Sequence, residues 1–500
     1  MGDTPAADKT VSFDTPQRRV LSDRLLRSWL RCRRRAWLDR FGDPADRRYT
    51  AHRTLQLDDQ QRCFVALLPE KPGHGLPAME AGAASVVGVR LRGQGPRGWT
   101  LECHPALLQR VWGQSRWGEF TYRPVLARQG RRLTREHRLP LALAGRLLAP
   151  IQAAAVPEAL ALAGAGRRLE QEHLPLNAGL QSQLDEALRK LAQDLQRTEP
   201  PDLASDRRKC TLCSWRGVCN QQAAAEGHLS EVSGIGAKRR DMLQELGFER
   251  LVDLAAADPQ QLASSLERFG EQHGAMALPL VAQARAQRDG RVESLDSRPA
   301  LPELTDAPGV LLYDIESDPD ARDDFLHGFV RLPRDPTGGW ALAQARYHPL
   351  LTLQEQGERP CWRRLERLLD RYRDWPVLHY GETESLALRR MAQRQGVGES
   401  QRAGLRARMV DVHERVRRHW RLPLNSYGLK AVAAWCGFRW RQQGADGARA
   451  LLWWRQWRGS GPEKRGHVQT LRWIFEYNCD DNLATWAVAQ WLLQQDSLLD

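Results

Sequence analysis

The sequence has no long apolar segment. Nowhere do 18 consecutive apolar residues occur, which excludes a membrane-spanning helix. The first ten residues, MGDTPAADKT, lack the basic and apolar regions of a secretory signal peptide. The segment MGDTPA also lacks the Ser or Thr at the sixth position that favours myristoylation of Gly2. We therefore expect a cytoplasmic protein with no membrane partner.

Length and charge indicate several domains and a polyanionic partner. A chain of 500 residues is too long for one ordinary hydrophobic core, so we expect two or three domains. Hydrophobic residues make up 42% of the chain and include 18 Trp, which excludes an intrinsically disordered protein. Lys and Arg number 74 against 61 Asp and Glu. This excess favours nucleic acid as the partner, because each phosphate contact releases condensed counterions.

The nine cysteines are interpreted first as metal ligands, because disulfides are rare in a reducing compartment. The segment RKCTLCSWRGVCN sets Cys210, Cys213 and Cys219 in a C-x2-C-x5-C array. Cys32, in the helix-patterned segment LLRSWLRCRRRAWLDRFGD, is the best candidate for a fourth ligand. Four thiolates suit either a tetrahedral zinc ion or a [4Fe–4S] cluster. The neighbouring Arg33 and Arg34 are candidate phosphate contacts.

A lone cysteine in a basic helix, paired with this array about two hundred residues later, resembles the iron–sulfur RecB-type nucleases of the PD-(D/E)-x-K fold. In that family the cluster holds the two ends of the domain together. The resemblance covers residues 20–222 and favours a [4Fe–4S] cluster over zinc. It implies an α/β nuclease-fold domain.

The positions that carry this family's catalysis are altered. Its two catalytic strands best match CHPALLQRV, residues 103–111, and YRPVLARQG, residues 122–130. Ala106 and Leu126 stand where the family has acids, and Arg128 stands where it has lysine. We expect a domain that has lost its own activity and binds nucleic acid. The alternative is a wrong alignment, with a migrated acid supplied by one of three glutamates, Glu80, Glu102 or Glu119.

Residues 226–290 are expected to form a small helical module. The stretch SGIGAKRRDMLQELGF is predicted to form a helix, a tight glycine-containing turn and a second helix, and it resembles a helix-hairpin-helix. Gly234 and Gly236 would let backbone amides approach a phosphate, and Lys238 and Arg239 add positive charge at the first turn. Such modules hold the nucleic-acid backbone without reading bases. They also serve as plain spacers, and this alternative stays open.

A polar, Pro-punctuated linker at residues 284–309 precedes a third domain, residues 306–497. The domain opens with the apolar strand GVLLYDIES, on which Asp314 and Glu316 project to the same face. Their charges repel unless a cation lies between them. Glu384 follows at the start of a helix in WPVLHYGETESLALRRM. Tyr477 and Asp481 lie four apart, on one face of the amphipathic helix IFEYNCDDNLATWAVAQWLL.

This order of residues strongly resembles the ribonuclease H-like 3′–5′ exonucleases of the DEDDy type, and most closely the YprB-like version attached to RecB-like domains. The resemblance implies a mixed sheet with flanking helices. It further implies that Asp314, Glu316, Glu384 and Asp481 bind two Mg²⁺ ions, or Mn²⁺ instead, while Tyr477 positions the attacking water. Two departures are Glu384, where Asp is more usual, and Tyr380, where Asn is common.

The sequence therefore predicts an α/β multidomain protein that acts as a metal-dependent 3′–5′ exonuclease on nucleic acid, with single-stranded DNA as the expected substrate. One alternative is an inactive nucleic-acid-binding scaffold or an accessory protein of a helicase. Since the chain contains no helicase motif, such a motor would be a separate partner. Another alternative is a redox or metal-sensing regulator that uses the cysteines.

Overall fold

The structure is a computed structural model that describes residues 19–128, 132–165, 168–204, 207–319, 323–459 and 468–498. The chain divides into two compact units. The first comprises the described residues within 1–49, 53–204 and 208–219, and the second those within 50–52, 205–207 and 220–500. The predicted α/β class is confirmed, since both units combine helices with sheets. Among the described residues, no helix is both long enough and apolar enough to cross a bilayer.

The first unit contains a three-stranded and a six-stranded sheet, with strand orders β1-β5-β4 and β2-β3-β6-β7-β8-β9. The strands are β1 (Val20–Ser22), β2 (Gly73–His74), β3 (Ser85–Val87), β4 (Leu91–Gln94), β5 (Thr100–Cys103), β6 (Leu107–Ser115), β7 (Gly118–Arg128), β8 (Glu158–Ala165) and β9 (Arg168–Pro175). The helices up to residue 226 are α1 (Asp23–Arg31), α2 (Arg33–Phe41), α3 (Ala51–Leu67), α4 (Gly75–Glu80), α5 (Arg135–Gln152), α6 (Ala178–Asp194) and α7 (Arg216–Glu226).

The larger sheet of the first unit is built around a β-α-β crossover. β6 and β7 pair antiparallel, and β7 and β8 pair parallel with α5 between them in the chain. A parallel connection requires such a crossover, because the chain must return to the same end of the sheet. The apolar residues of α5 make this possible, since Leu139, Leu143 and Leu148 are fully buried in the core.

The second unit begins with a small helical module. It consists of α8 (Ala237–Glu245), α9 (Leu251–Ala256), α10 (Pro259–Glu267), α11 (Glu271–Gly274) and α12 (Ala277–Asp289). Its apolar core is separate and includes Leu229, Leu243 and Leu280. The module is bonded to the rest of its unit, because the Gln283 side chain donates to the carbonyl of Leu422 at 2.9 Å. The module shares one compact unit with the domain that follows.

The rest of the second unit surrounds a five-stranded mixed sheet of order β13-β12-β11-β14-β15. Its strands, with the short pair β10 and β16, are β10 (Glu293–Ser294), β11 (Gly309–Asp318), β12 (Asp323–Pro333), β13 (Arg346–Leu351), β14 (Val377–His379), β15 (Met409–Asp411) and β16 (Trp420–Arg421). The helices are α13 (Arg359–Arg371), α14 (Glu382–Arg394), α15 (Glu399–Arg408), α16 (Val412–His419), α17 (Leu429–Trp435), α18 (Gly447–Gly459) and α19 (Val468–Asp496).

Helices cover both faces of this sheet. Because side chains alternate along a strand, β11 sends Val310 and Leu312 to one face and Leu311 and Tyr313 to the other. The first face packs against α16, α17 and α19, and the second packs against α13, α14 and α15. The central strand β11 is thus apolar over its first five residues and changes to acidic residues only at its end.

Candidate metal centre

Three carboxylates meet at the end of the central strand. Asp314 and Glu316 lie on β11, on the face that α19 covers, and Asp481 projects from α19. One oxygen of each of the three side chains lies within 4.8 Å of those of the other two. The structure therefore brings together three of the four acids that the sequence analysis assigned to a metal site.

Burial and mutual repulsion make this cluster electrostatically unfavourable. Glu316 and Asp481 are 6% and 7% exposed. Burial raises the pKa of Asp314 well above its ordinary value, and the charges of Asp481, Glu316 and Glu384 raise it further. Burial and then Asp481 likewise raise the pKa of Glu316. Among the residues that the structure describes, none of the three carboxylates has a Lys or Arg ion-pair partner within 4.0 Å. A bound cation would supply the missing positive charge.

Neutral hydrogen-bond donors hold the carboxylates in place. The Asn478 amide donates to Asp314 Oδ2 at 2.7 Å and also bonds Glu316. Trp440 Nε1 donates to Asp481 Oδ1 at 2.7 Å, and the Tyr477 hydroxyl bonds the same carboxylate. Each donor fixes the orientation of an acid without neutralising its charge, so the acids remain available to a metal ion.

The Asn478 amide is itself fixed on its other side. This side chain is completely buried, and its Oδ1 accepts a hydrogen bond from the Tyr347 hydroxyl at 2.8 Å. The amide occupies the space beside Gly328, which is the residue paired with Asp314 across β11 and β12. A Cβ at Gly328 would overlap Asn478 Oδ1 and would lie 2.7 Å from its Cγ. The glycine thus leaves room for the amide that orients Asp314.

Glu384 lies next to the three acids but outside their 4.8 Å group. It is the third residue of α14 and is 8% exposed. Its Oε2 atom is buried and has no hydrogen-bond partner among the described residues. Burial, with smaller contributions from Asp411 and Asp481, raises the pKa of Glu384 to about 7. A buried carboxylate oxygen without a partner is costly, and a metal ion or its water would satisfy it.

The four acids have the donor chemistry of a magnesium site. All are hard oxygen ligands, which favours Mg²⁺ or Mn²⁺ over zinc. The adjacent Asp480 forms an ion pair with Arg441 at 2.8 Å and so does not belong to this cluster. The residues present therefore fit a divalent metal.

Lys430 is a site residue that the sequence analysis did not single out, although it ends the motif SYGLK. Its Nζ lies 5.0 Å from the centroid of the Tyr477 ring and donates to the carbonyl of Ala445. Its charge lowers the pKa of Glu316 and of Asp481, against the larger effect of burial. Asn478 and Trp440 were missed in the same way. In the sequence, Asn478 is marked only by its position beside Tyr477 and Asp481, and Trp440 only by its position in the tryptophan-rich C-terminal region.

The four cysteines assigned to a cluster all lie in the first unit. Cys32 ends α1 and precedes α2, and the other three belong to the segment 207–219 and to α7. Cys219 is buried, and its thiol is close enough to Cys213 and Cys32 for their charges to add to the effect of burial, which raises its pKa. Within the described part of the chain, no three of these sulfurs meet within 4.8 Å.

Ordinary contacts between α2 and the cysteine-containing segment hold this region together. The Trp215 indole donates to Asp39 Oδ1 at 2.8 Å, and Arg34 bonds the Cys219 thiol. Arg34 is only 3% exposed and donates to the carbonyl of Pro201 at 2.7 Å. The phosphate contact predicted for Arg34 does not fit this burial, because its guanidinium is inside the unit. Arg33 is more exposed but is paired with Asp194.

The remaining predicted phosphate contacts lie on the surface of the helical module. Gly234 has a φ of +91°, and Gly236 is the N-cap of α8 with open space around it. Lys238 is exposed, whereas Arg239 donates to the carbonyl of Gly234 at 2.5 Å. The glycine turn and the helix after it are formed, but the helix expected before the turn is only a three-residue 3-10 helix at Leu229–Glu231.

The altered positions of the first unit lie on neighbouring strands. Ala106 immediately precedes β6, whereas Leu126 and Arg128 lie on β7 and are buried. Arg128 is paired with Glu172 at 3.0 Å. The migrated acid considered above is not favoured, since Glu102 is bonded by Arg90 and Arg92, and Glu80 and Glu119 join no group of three metal-ligand side chains among the described residues.

Comparison with known proteins identifies the class of the C-terminal domain. Residues 311–493 match the RNase_H_2 family model, which belongs to the RNase_H superfamily. This match confirms the ribonuclease H-like domain predicted from the acidic motifs. It indicates a nuclease-like domain that processes nucleic acid, in a superfamily that uses divalent metals such as Mg²⁺. No curated protein matches the chain.

Proposed function

We propose that this chain is a metal-dependent 3′–5′ exonuclease that degrades single-stranded DNA in its ribonuclease H-like domain. The observation that carries the proposal is the convergence of Asp314, Glu316 and Asp481 within 4.8 Å at the end of a buried strand. A structural role does not account for this arrangement, since three clustered acids without a counter-ion, two of them buried and one half-buried, oppose folding.

Asp314, Glu316, Glu384 and Asp481 would hold the two Mg²⁺ or Mn²⁺ ions of such a site. When bound, the ions would activate water and stabilise the developing charge on the phosphodiester oxygens. The chain's own contribution is orientation. Asn478 and Trp440 fix the carboxylates of Asp314 and Asp481 in advance, so that little rearrangement is needed during binding.

Tyr477 acts as a neutral donor in this proposal. Burial, followed by the charges of the nearby acids, raises the pKa of its hydroxyl far above the ordinary value. The hydroxyl therefore keeps its proton at neutral pH and can hold Asp481 and a water molecule by hydrogen bonds. It does not serve as a base.

For the first unit we propose a degenerate RecB-like domain that binds substrate and is held by a [4Fe–4S] cluster. In a tetrahedral zinc site, bonds of about 2.3 Å place the sulfurs roughly 3.8 Å apart. Among the described residues no three sulfurs of Cys32, Cys210, Cys213 and Cys219 lie within 4.8 Å of one another, so the choice of a cluster, in which each thiolate would bind a different iron atom, rests on the sequence resemblance. The glycine turn of the helical module, with Lys238, would contact the phosphate backbone.

The exonuclease proposal is tested with Asp314→Ala. Purified wild-type protein and this variant are incubated with Mg²⁺ and single-stranded DNA labelled at its 5′ end or, separately, at its 3′ end. We expect the wild type to release the 3′ label first and to produce a shortening ladder from the 5′-labelled strand, and the variant to lose at least 100-fold in rate. EDTA should abolish the reaction.

The matched control is Asp306→Ala, which removes the same charge from an exposed position outside the acid cluster. It should degrade DNA at the wild-type rate. Equal, negligible degradation by the wild type and Asp314→Ala would remove the exonuclease proposal and leave the binding scaffold. The same measurement with RNA tests the assignment of DNA as substrate.

A further inference from the structure

The helix α13 presents an unusual concentration of exposed positive charge. Between residues 359 and 373 the side chains of six arginines are exposed, against two exposed acids, Glu366 and Asp370. We call this surface the basic face of α13; its members are Arg359, Arg363, Arg364, Arg367 and Arg371 on the helix and Arg373 just beyond its end. The opposite side of the helix is apolar and packs into the core, which explains the presence of Trp362 and Leu365. Core packing does not explain the arginines.

None of the six arginines has a carboxylate partner within 4.0 Å among the residues that the structure describes. Their side-chain contacts are with backbone or with a ring: Arg367 bonds the carbonyl of Arg363, and Arg371 lies over the Tyr372 ring. Some arginines elsewhere in the same unit are paired with carboxylates. Arg394 bonds Glu358 at 2.6 Å, and Arg455 bonds Asp318 at 2.9 Å. The six exposed arginines of this face are therefore free of carboxylate partners among the described residues and can contact an anionic partner.

Like charges at this spacing are unfavourable for the isolated helix. Arg359, Arg363 and Arg367 follow one another at intervals of four residues, which places them on one side of α13, about 6 Å apart along its axis. Each guanidinium group can make charge-assisted hydrogen bonds to a phosphate, so a row of them favours a polyanionic chain as partner.

The basic face lies across the sheet from the metal centre. The helix α13 packs on the face of β11 that carries Leu311 and Tyr313, whereas Asp314 and Glu316 follow Val310 and Leu312 on the other face. A nucleic acid held by α13 is therefore held outside the metal centre.

We infer that the basic face of α13 is a second binding surface for the phosphodiester backbone of a nucleic acid, separate from the metal centre. It would hold a part of the strand, or of a duplex next to it, that is not being hydrolysed. The inference concerns binding alone and does not require the proposed exonuclease activity.

The test is the double variant Arg363→Gln/Arg367→Gln in an Asp314→Asn background, which prevents hydrolysis. Binding of fluorescent 40-nucleotide single strands and 40-base-pair duplexes is measured by anisotropy between 0.05 and 0.2 M NaCl. If two phosphate contacts are lost, the slope of log affinity against log salt should fall by about 1.4 for single strands, and the affinity by roughly ten-fold at 0.2 M. A loss of affinity for only one of the two probes identifies whether the basic face of α13 binds the single strand or the duplex.

Two controls complete the experiment. Arg97→Gln/Arg135→Gln removes the same charge from two exposed arginines of the first unit that are not among its proposed phosphate contacts, and it should change the slope less than Arg363→Gln/Arg367→Gln does. Arg363→Lys/Arg367→Lys keeps the charge and should retain most of the slope. The inference is overturned if Arg363→Gln/Arg367→Gln binds both probes with the slope and affinity of the Arg97→Gln/Arg135→Gln control.

The proposed exonuclease is tested separately, with Asp314 intact and a dinucleotide substrate too short to reach α13. That rate should be unchanged by the two arginine substitutions. Failure of hydrolysis and failure of the binding surface thus give different results.

Discussion

Replacement of Gly328 by alanine tests the hydrogen-bond network that orients Asp314. The new methyl group would overlap Asn478 Oδ1 and would lie 3.0 Å from the Tyr347 hydroxyl. The Asn478 side chain must then move, and its bonds to Tyr347 and Asp314, both shorter than 3 Å, are lost. We expect lower stability and weaker binding of Mg²⁺.

The magnitude follows from two costs. Insertion of a methyl group into a packed interior costs about 1–3 kcal/mol. Each buried polar group left without its partner costs about 1–3 kcal/mol more. With Tyr347 and Asp314 both affected, the free energy of unfolding should fall by roughly 3–9 kcal/mol. For a domain of this size the melting temperature should fall by about 6 °C or more.

The assay is thermal unfolding of the full chain with EDTA and with Mg²⁺. The unfolding transition whose midpoint temperature rises with Mg²⁺ is that of the ribonuclease H-like domain. The matched control is Gly404→Ala in α15, where no atom lies within 4 Å of the added methyl group. Because alanine favours helix over glycine, this change should raise stability by about 0.5–1 kcal/mol. A Gly328→Ala protein with the wild-type melting temperature and Mg²⁺ response would refute the orienting role of Asn478.

Two further predictions concern charge and the cysteines. Burial raises the pKa of Asp314, of Glu316 and, to about 7, of Glu384, so the folded state without metal binds more protons than the unfolded state. In EDTA, the contribution of these groups to the free energy of unfolding should be greatest below about pH 4 and should decline as the pH rises towards 7. Mg²⁺ should reverse this decline, and Glu384→Gln should make it less steep. A decline that is unaltered in Glu384→Gln would contradict this account. Anaerobically purified protein should contain about four iron and four sulfide ions per chain and should absorb visible light. Cys213→Ser should lose this absorbance, whereas the control Cys361→Ser should keep it. Stoichiometric zinc without sulfide would instead identify a zinc site.

Much of the C-terminal domain was predictable because its signals are local. The apolar run before Asp314 and Glu316 predicted a buried strand, and the alternation of side chains along a strand predicted that both acids lie on one face. The helical spacing of Tyr477 and Asp481 placed them on one side of α19. The class of this domain is confirmed by the match over residues 311–493.

The details of the metal centre were not predictable, because they depend on contacts between residues far apart in the chain. Asn478 meets Asp314 across 164 positions, and Trp440 meets Asp481 across 41. The partner of the neighbouring Asp480 was not predictable either, because its ion pair with Arg441 joins two segments 39 residues apart. Arg34 likewise looked like a surface charge until packing buried it.

The amino-acid sequence by itself determined which residues can carry the chemistry, since charge, hydrogen-bonding groups and the periodicity of strand and helix belong to the local chain. Only the tertiary structure decided which of the acids share one pocket, which amides and indoles orient them, and which arginines remain without a carboxylate. Those outcomes depend on distances between separate elements, and distances of this kind arise only when the sheet and its helices pack together.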